Sequence, residues 1–227
     1  MSVAKNCSFK LGFLLSLGFI NVVYAGNQQE EKLSADVQTS LHSAIINPIQ
    51  PHLVFSSKEK ADAWLSDMSN RLKKVAPKDP LVQDEFMRKR LLTTIQYESI
   101  RAGLDPQLVL SLITVESRFN KYAISGAGAR GIMQVMPFWQ RQIGAQDQDL
   151  LNVQTNIRFG CTILRHYLQL EHGDMFMALG RYNGSRGQAV YPDLVFGAMN
   201  RYWQPATVMT MAKNGEIKYI NYSEPRL

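Results

Sequence analysis

An almost wholly helical domain is what this 227-residue chain predicts, and three observations carry that expectation. Apolar residues recur at three- and four-residue spacing in one segment after another. Caps and prolines punctuate those segments where helices start and stop. Short β-prone runs stand out in the tail, after Gln204.

The first 25 residues read as a signal peptide. Lys5 and Lys10 precede the apolar run from Leu11 to Val23, and Val23-Tyr24-Ala25 supplies a cleavage site. The run is too short and too poorly flanked for a membrane span, so no stable span is expected after processing. Residues 26–56 begin as polar Asn27-Gln28-Gln29-Glu30-Glu31, carry two prolines, and read as a flexible lead-in.

The domain proper is expected over 57–203. Ser56-Ser57 caps a helix whose Ala61, Trp64, Leu65, Met68 and Leu72 form one stripe, with Trp64 a core anchor. Pro77 and Pro80 break the chain. A long helix runs from Leu81 or Asp84 to Arg101, closed by Gly103. Phe86, Met87, Leu91, Ile95 and Ile100 are expected to face inward, and Glu98 to form an exposed ion pair with Arg101. Asp105-Pro106 starts the next helix, which ends at Glu116. After a turn at 138–141, a helix over 153–172 has Ile157, Cys161, Leu164 and Leu168 at core spacing. A short helix over 175–182 and a last one over 192–203, with Leu194, Val195, Met199 and Tyr202 apolar, bring the total to about seven. The tail, 204–227, is either irregular or a small hairpin about Lys213-Asn214-Gly215-Glu216.

The formal charge of +6 falls to +4 once Lys5 and Lys10 leave with the signal peptide. A modestly basic surface suits an anionic polymer. Nucleic acid is an unsuitable partner, because the basic residues are scattered without aromatic interleaving and the chain carries an export signal. Cys7 precedes the apolar run and goes with it, so Cys161 is alone in the processed chain and reads as a buried small apolar residue. Its spacing to His166 and His172 fits no strong metal pattern.

Chemistry concentrates between Leu108 and Pro137. Glu116 falls on the stripe of Val109 and Leu112, so its carboxyl group loses hydration and its pKa rises. The negative end of the helix dipole pushes the same way. A carboxyl group kept protonated near neutral pH is what a general acid needs. The competing reading is a helix-end glutamate that bends back to solvent or pairs with Arg118 or Lys121. No Asp or Glu occurs from Ser117 to Gln146, and the small residues from Ser125 to Ala129 let backbone approach a ligand. Gly126 to Gly131 also matches the dinucleotide pattern GxGxxG. A helix and a polar turn precede it where a strand is required, so a nucleotide cofactor is rejected.

Glu116-Ser117-Arg118-Phe119-Asn120, Ser125, GARGIMQVMP over 128–137 and Ala178-Leu179-Gly180-Arg181-Tyr182-Asn183-Gly184 together resemble the lytic transglycosylases of the soluble (SLT) type, in the lysozyme-like superfamily. The resemblance covers roughly residues 57–203. It implies an all-α, lysozyme-like fold with a cleft, no cofactor and no metal. It also implies a periplasmic or secreted enzyme that cleaves peptidoglycan glycan strands between N-acetylmuramic acid and N-acetylglucosamine. In that reaction Glu116 acts as acid and then as base while the muramic C6 hydroxyl closes a 1,6-anhydro ring, which removes the need for the second carboxylate of most glycoside hydrolases.

By the same resemblance, Ser125 lies near the catalytic carboxyl or the acetamido group, and Gln134 and Met136 line the sugar cleft. Tyr182 and Asn183 form a pair whose tyrosine hydroxyl lies close to the glutamate, and Ser117 supports Glu116 from behind. Met133 reads as packing. Tyr191 matches a second cleft tyrosine only loosely, since Gly187-Gln188-Ala189-Val190 replaces the Glu-Thr-Arg that precedes it in other members, and the loop after Asn183 is short.

Two other readings compete. A lysozyme-type muramidase would need a second carboxylate, for which Asp147, Asp149, Asp174 and Asp193 are the choices. A non-catalytic wall-binding protein would have no need to keep Glu116, Ser125, Gln134 and Tyr182 together. The sequence leaves open whether the enzyme serves general wall turnover or an envelope-spanning secretion, pilus or flagellar assembly.

Overall fold

In the computed structural model the described residues are 28–46 and 49–203, together with the backbone of strands 208–211 and 217–220. The signal-peptide expectation lies outside them. Among the described residues the chain forms α1 (Ala35–Ile46), α2 (Lys58–Val75), α3 (Pro80–Gln83), α4 (Glu85–Arg101), α5 (Pro106–Glu116), α6 (Phe138–Ile143), α7 (Val153–Leu170), α8 (Met175–Asn183) and α9 (Val190–Ala198). A π-helical turn over Met199–Trp203 and two short strands, β1 (Val208–Met211) and β2 (Ile217–Ile220), follow. No helix among the described residues is long and apolar enough to cross a membrane.

The all-α class holds, and the helix boundaries follow the side-chain caps. Ser57, Asp84, Asp105, Asn152 and Asp174 each accept a backbone amide from the first turn of α2, α4, α5, α7 and α8. Gly144 and Gly184 close α6 and α8 in the left-handed conformation. In the tail the hairpin alternative is the one formed, antiparallel with Val208 opposite Ile220 and Met211 opposite Ile217.

Helix α5 is the axis of the domain. Val109, Leu110, Leu112 and Ile113 are fully buried, and α4, α9 and the π-helical turn pack around them. Burying a side chain of this kind contributes roughly 1.5–3 kcal/mol, so this short helix is held by packing more than by its own propensity. Trp203 reaches the same core from the π-helical turn, donating its indole N–H to Thr114 at 3.0 Å and lying 5.8 Å from the Phe119 ring.

Several expectations need correction. Residues read as a flexible lead-in contain α1, which buries Leu41 and Ile45 against α6 and α7. Further ties fix the same stretch. The Gln28 carbonyl accepts the Trp139 indole N–H at 2.8 Å, and the Gln96 amide pairs with both backbone groups of Val54. The signal was present in Val37, Leu41 and Ile45 at four-residue spacing after Ser34.

Phe86 and Met87 point outward, 66% and 38% exposed, because the Asp84 cap sets a register that turns Leu91, Leu92 and Ile95 to the core instead. Leu194 is exposed for the same kind of reason: α9 starts at Val190, and its inward face is Tyr191, Val195 and Ala198. Glu98 is fully buried, not exposed. Arg101 donates to it at 2.6 Å, as expected, but Arg158 from α7 also donates at 3.0 Å, which lets the carboxylate leave water.

Candidate active site

Glu116 closes α5, and the backbone reverses immediately after it. Arg118 and Phe119 adopt positive φ values of 49° and 71°, unusual for such residues. Burial of Phe119 and a bond from its amide to the Ser117 hydroxyl at 3.1 Å hold the turn. The same hydroxyl donates to the Ile132 carbonyl at 2.7 Å. Ser117 therefore ties the helix end to the glycine-rich segment, and Glu116 has a fixed backbone.

That segment folds as a small set of β-bridges, Ile124 to Arg130 and Arg130 to Val135. Asn156 holds it from behind, donating to the carbonyls of Arg130 and Leu150 and accepting the Met133 amide, all within 2.8 Å. Gly131 is required where it passes: its φ is +76°, and a Cβ would lie 2.4 Å from the Asn156 amide nitrogen. This polar hub was missed in the sequence, because an asparagine inside an apolar helix carries no local signal of its distant partners.

Glu116 itself is 7% exposed. Its Oε1 accepts a very short hydrogen bond from the Tyr191 hydroxyl, and Oε2 lies covered, with no hydrogen-bond partner among the described residues. Burial pushes the carboxyl pKa from its ordinary 4.5 up to about 8, opposed by the Tyr191 bond. Among the described residues no carboxylate neighbour contributes to that rise. Both Tyr191 and Tyr182 are held well above the ordinary phenol value, first by burial and then by the charge Glu116 carries when ionised. They remain donors. The arrangement is a carboxylic acid that keeps its proton at neutral pH, with one oxygen fixed by a phenol and the other unbonded among the described residues, which is the protonation state a general acid needs.

The other residues singled out in the sequence fall at varied distances from this chemistry. Tyr191, the loosest match, is the tyrosine that bonds the glutamate. Tyr182 instead donates to the Met133 carbonyl at 2.8 Å, bracing the glycine-rich segment. Ser125 accepts the Ala129 amide at 3.1 Å and closes a turn. Gln134 is 2% exposed at a φ of 52°, and its amide donates to the carbonyls of Ala123 and Gly131, so it stiffens the wall from within. Met136 is half-buried against the core, and Met133 packs on Gly160. Asn183 is buried and accepts the Ser185 hydroxyl at 2.9 Å. After it, Arg181 and Arg186 both bind Glu171, which braces the short loop and holds the Glu171 carboxyl down at about 2.

Asp147, Asp149, Asp174 and Asp193 are all exposed, and two of them serve turns or caps: Asp149 accepts the Leu151 amide and Asp174 that of Met177. Cys161 is fully buried and reduced, and its thiol is pushed far up by burial. Among the described residues no group of three His, Cys, Asp or Glu side chains could hold a metal ion.

Residues 93–190 match the family model described as Transglycosylase SLT domain. The chain is 36% identical over 96 residues to a protein named Transglycosylase from Enterobacteria phage PRD1, covering 42% of this chain and 35% of that protein. It is 40% identical over 98 residues to the Membrane-bound lytic murein transglycosylase C of Glaesserella parasuis, covering 37% of this chain and 27% of the relative. A protein of the same name from Mannheimia succiniciproducens is 45% identical over 49 residues, 22% of this chain and 14% of the relative. The chain thus spans about a third or less of the length of the curated relatives it matches. No solved structure matches it significantly.

Proposed function

We propose that this chain, whose residues 93–190 match the Transglycosylase SLT domain model, is an exported peptidoglycan lytic transglycosylase with Glu116 as its single acid and base. The observation that carries the reading is the environment of Glu116: buried, raised to about 8 and, among the described residues, without a cation and with one carboxyl oxygen unpartnered. A glycosidic oxygen is the partner such an oxygen lacks.

The proton on Glu116 passes to the oxygen that leaves from muramic C1. The 2-acetamido group of the same sugar stabilises the positive charge left on C1. Glu116, now ionised and still bonded to Tyr191, takes the proton of the C6 hydroxyl as that oxygen closes on C1. Water is not consumed, and the product carries a 1,6-anhydro ring. Ring closure within one sugar has a high effective concentration, so no second carboxylate is needed to place a nucleophile. The exposure of Asp147, Asp149, Asp174 and Asp193 favours this over hydrolysis. Ser125, Gln134, Met136, Tyr182 and Asn183 shape the cleft, chiefly by fixing its walls. The site of action is the periplasm or the wall outside it, reached after cleavage near Ala25.

Mass spectrometry of sugars released from purified peptidoglycan tests the reading. Products ending in 1,6-anhydromuramic acid, absent with Glu116→Gln, are expected. Reducing ends one water heavier would replace it with hydrolysis.

A further inference from the structure

A second groove, of about 730 Å³, lies between the first turns of α4, residues 149–154 and the loop at Lys121-Tyr122. No residue placed in the cleft above lines it. Its walls hold Phe86 and Met87, which helical patterning placed in the core. Phe86 is 66% exposed and Tyr122 65% exposed, with Met87 beside them.

Each ring carries a cation. The Arg90 guanidinium lies 5.6 Å from the centre of the Phe86 ring, and the Lys121 ammonium 4.6 Å from that of Tyr122. Neither cation is ion-paired among the described residues. Lys89, the third cation at the groove, is already bound to Glu85. The one acid in the lining, Asp149, turns an oxygen to the Leu151 amide. Two unpaired cations held over exposed rings thus face the same trough. They suit a ligand that presents carboxylates and small methyl groups along an extended backbone.

We infer that this groove binds the carboxylate-bearing stem peptide of peptidoglycan, apart from the glycan cleft, with Arg90 and Lys121 on its carboxylates and Phe86 and Tyr122 against its alanine methyls. The identity of the ligand rests on the wall-cleaving function proposed above. The loop at Lys121-Tyr122 follows Glu116 by only a few residues, so a peptide held here tethers the enzyme to the wall beside its point of attack.

The test uses the full processed chain with Glu116→Gln, so that the wall stays uncut. Binding is measured to intact peptidoglycan, to glycan strands stripped of peptide by an amidase, and to free L-Ala-D-γ-Glu-diaminopimelate-D-Ala. Adding Arg90→Ala and Lys121→Ala is expected to weaken binding to intact wall and free peptide roughly tenfold, as the loss of charge-assisted contacts implies. Binding to stripped glycan is expected to stay as it was. Phe86→Ala and Tyr122→Ala act in the same direction, and all four side chains are exposed enough to leave the fold intact, as circular dichroism will verify. Equal losses on stripped glycan would make the groove a sugar surface and overturn the inference. So would unchanged binding everywhere. If the chain with Glu116 restored releases no sugars, the proposed function fails, while the free-peptide arm still reports on the groove.

Discussion

Glu98 and Glu116 sit near the C-terminal ends of adjacent core helices, each with an arginine within three residues, and the structure buries both at 0% and 7% exposure. Their surroundings differ. Glu98 is gripped by Arg101 from its own helix and by Arg158 from α7, which also donates to the Ile45 carbonyl of α1. Among the described residues Glu116 meets a tyrosine and nothing charged. A carboxylate that leaves water must be neutralised, by cations or by a proton. The first solution builds a joint between α1, α4 and α7. The second leaves a proton on a buried carboxyl group.

Substitutions at the two sites should therefore fail in opposite ways. The largest effect expected is on activity: Glu116→Gln lowers anhydromuropeptide release by about a thousandfold or more, within the range for losing a general acid that also serves as base. Its melting temperature does not fall. Glu98→Ala does the reverse, leaving Arg158 buried without its acid and costing about 3–5 kcal/mol in urea denaturation. The fraction still folded keeps its turnover. Should Glu98→Ala abolish turnover in fully folded protein, the division between joint and proton store breaks down.

The proton on Glu116 gives a smaller, pH-dependent effect. Between the ordinary carboxyl value of 4.5 and about 8, the unfolded glutamate is ionised while the folded one keeps its proton. The folded state binds more protons there, so stability falls as pH rises through the window, by about 1.4 kcal/mol per unit for this group. Above about 8 its contribution levels off at its least favourable value. The stability of Glu116→Gln relative to the parent should accordingly rise from pH 5 to 8, in denaturation run side by side. Taking the difference removes Asp105, the buried α5 cap, whose own value is pushed to about 7 by burial. Activity of the parent should fall above about pH 8, where the acid is lost.

Smallest is Tyr191→Phe, expected to slow turnover by roughly tenfold, the worth of one hydrogen bond to a group that becomes charged. Because that bond opposes the rise in the Glu116 pKa, removing it should move the alkaline limb of the pH–rate profile upward. A limb that stays put would mean Tyr191 only fills space.

Much of this was legible in the chain. The caps at Ser57, Asp84 and Asp105 and the stripes of α2, α5 and α7 are local facts, written in spacing and side-chain type. Glu116 was legible for the same reason, since a carboxylate in register with Val109 and Leu112 must be buried if the helix is. Helix α1 was overlooked because its stripe is short and its composition polar. The resemblance put the Tyr182 hydroxyl close to Glu116 and matched Tyr191 only loosely, yet Tyr191 makes the bond, because which of two buried tyrosines reaches the carboxyl group is set by helix packing.

What the sequence determined by itself is the all-helical class, the position of Glu116 at a helix end and the lack of acid near it in the chain, because propensity, capping and periodicity act within a few residues. What only the tertiary structure decided is which charges and donors meet: Arg158 on Glu98, Tyr191 on Glu116, Asn156 behind Gly131, and the outward turn of Phe86. The bonded pairs among these lie 23 or more positions apart, and nothing in local chemistry sets them. Packing of the helices does, by choosing which buried polar group finds a partner and which is left with its proton.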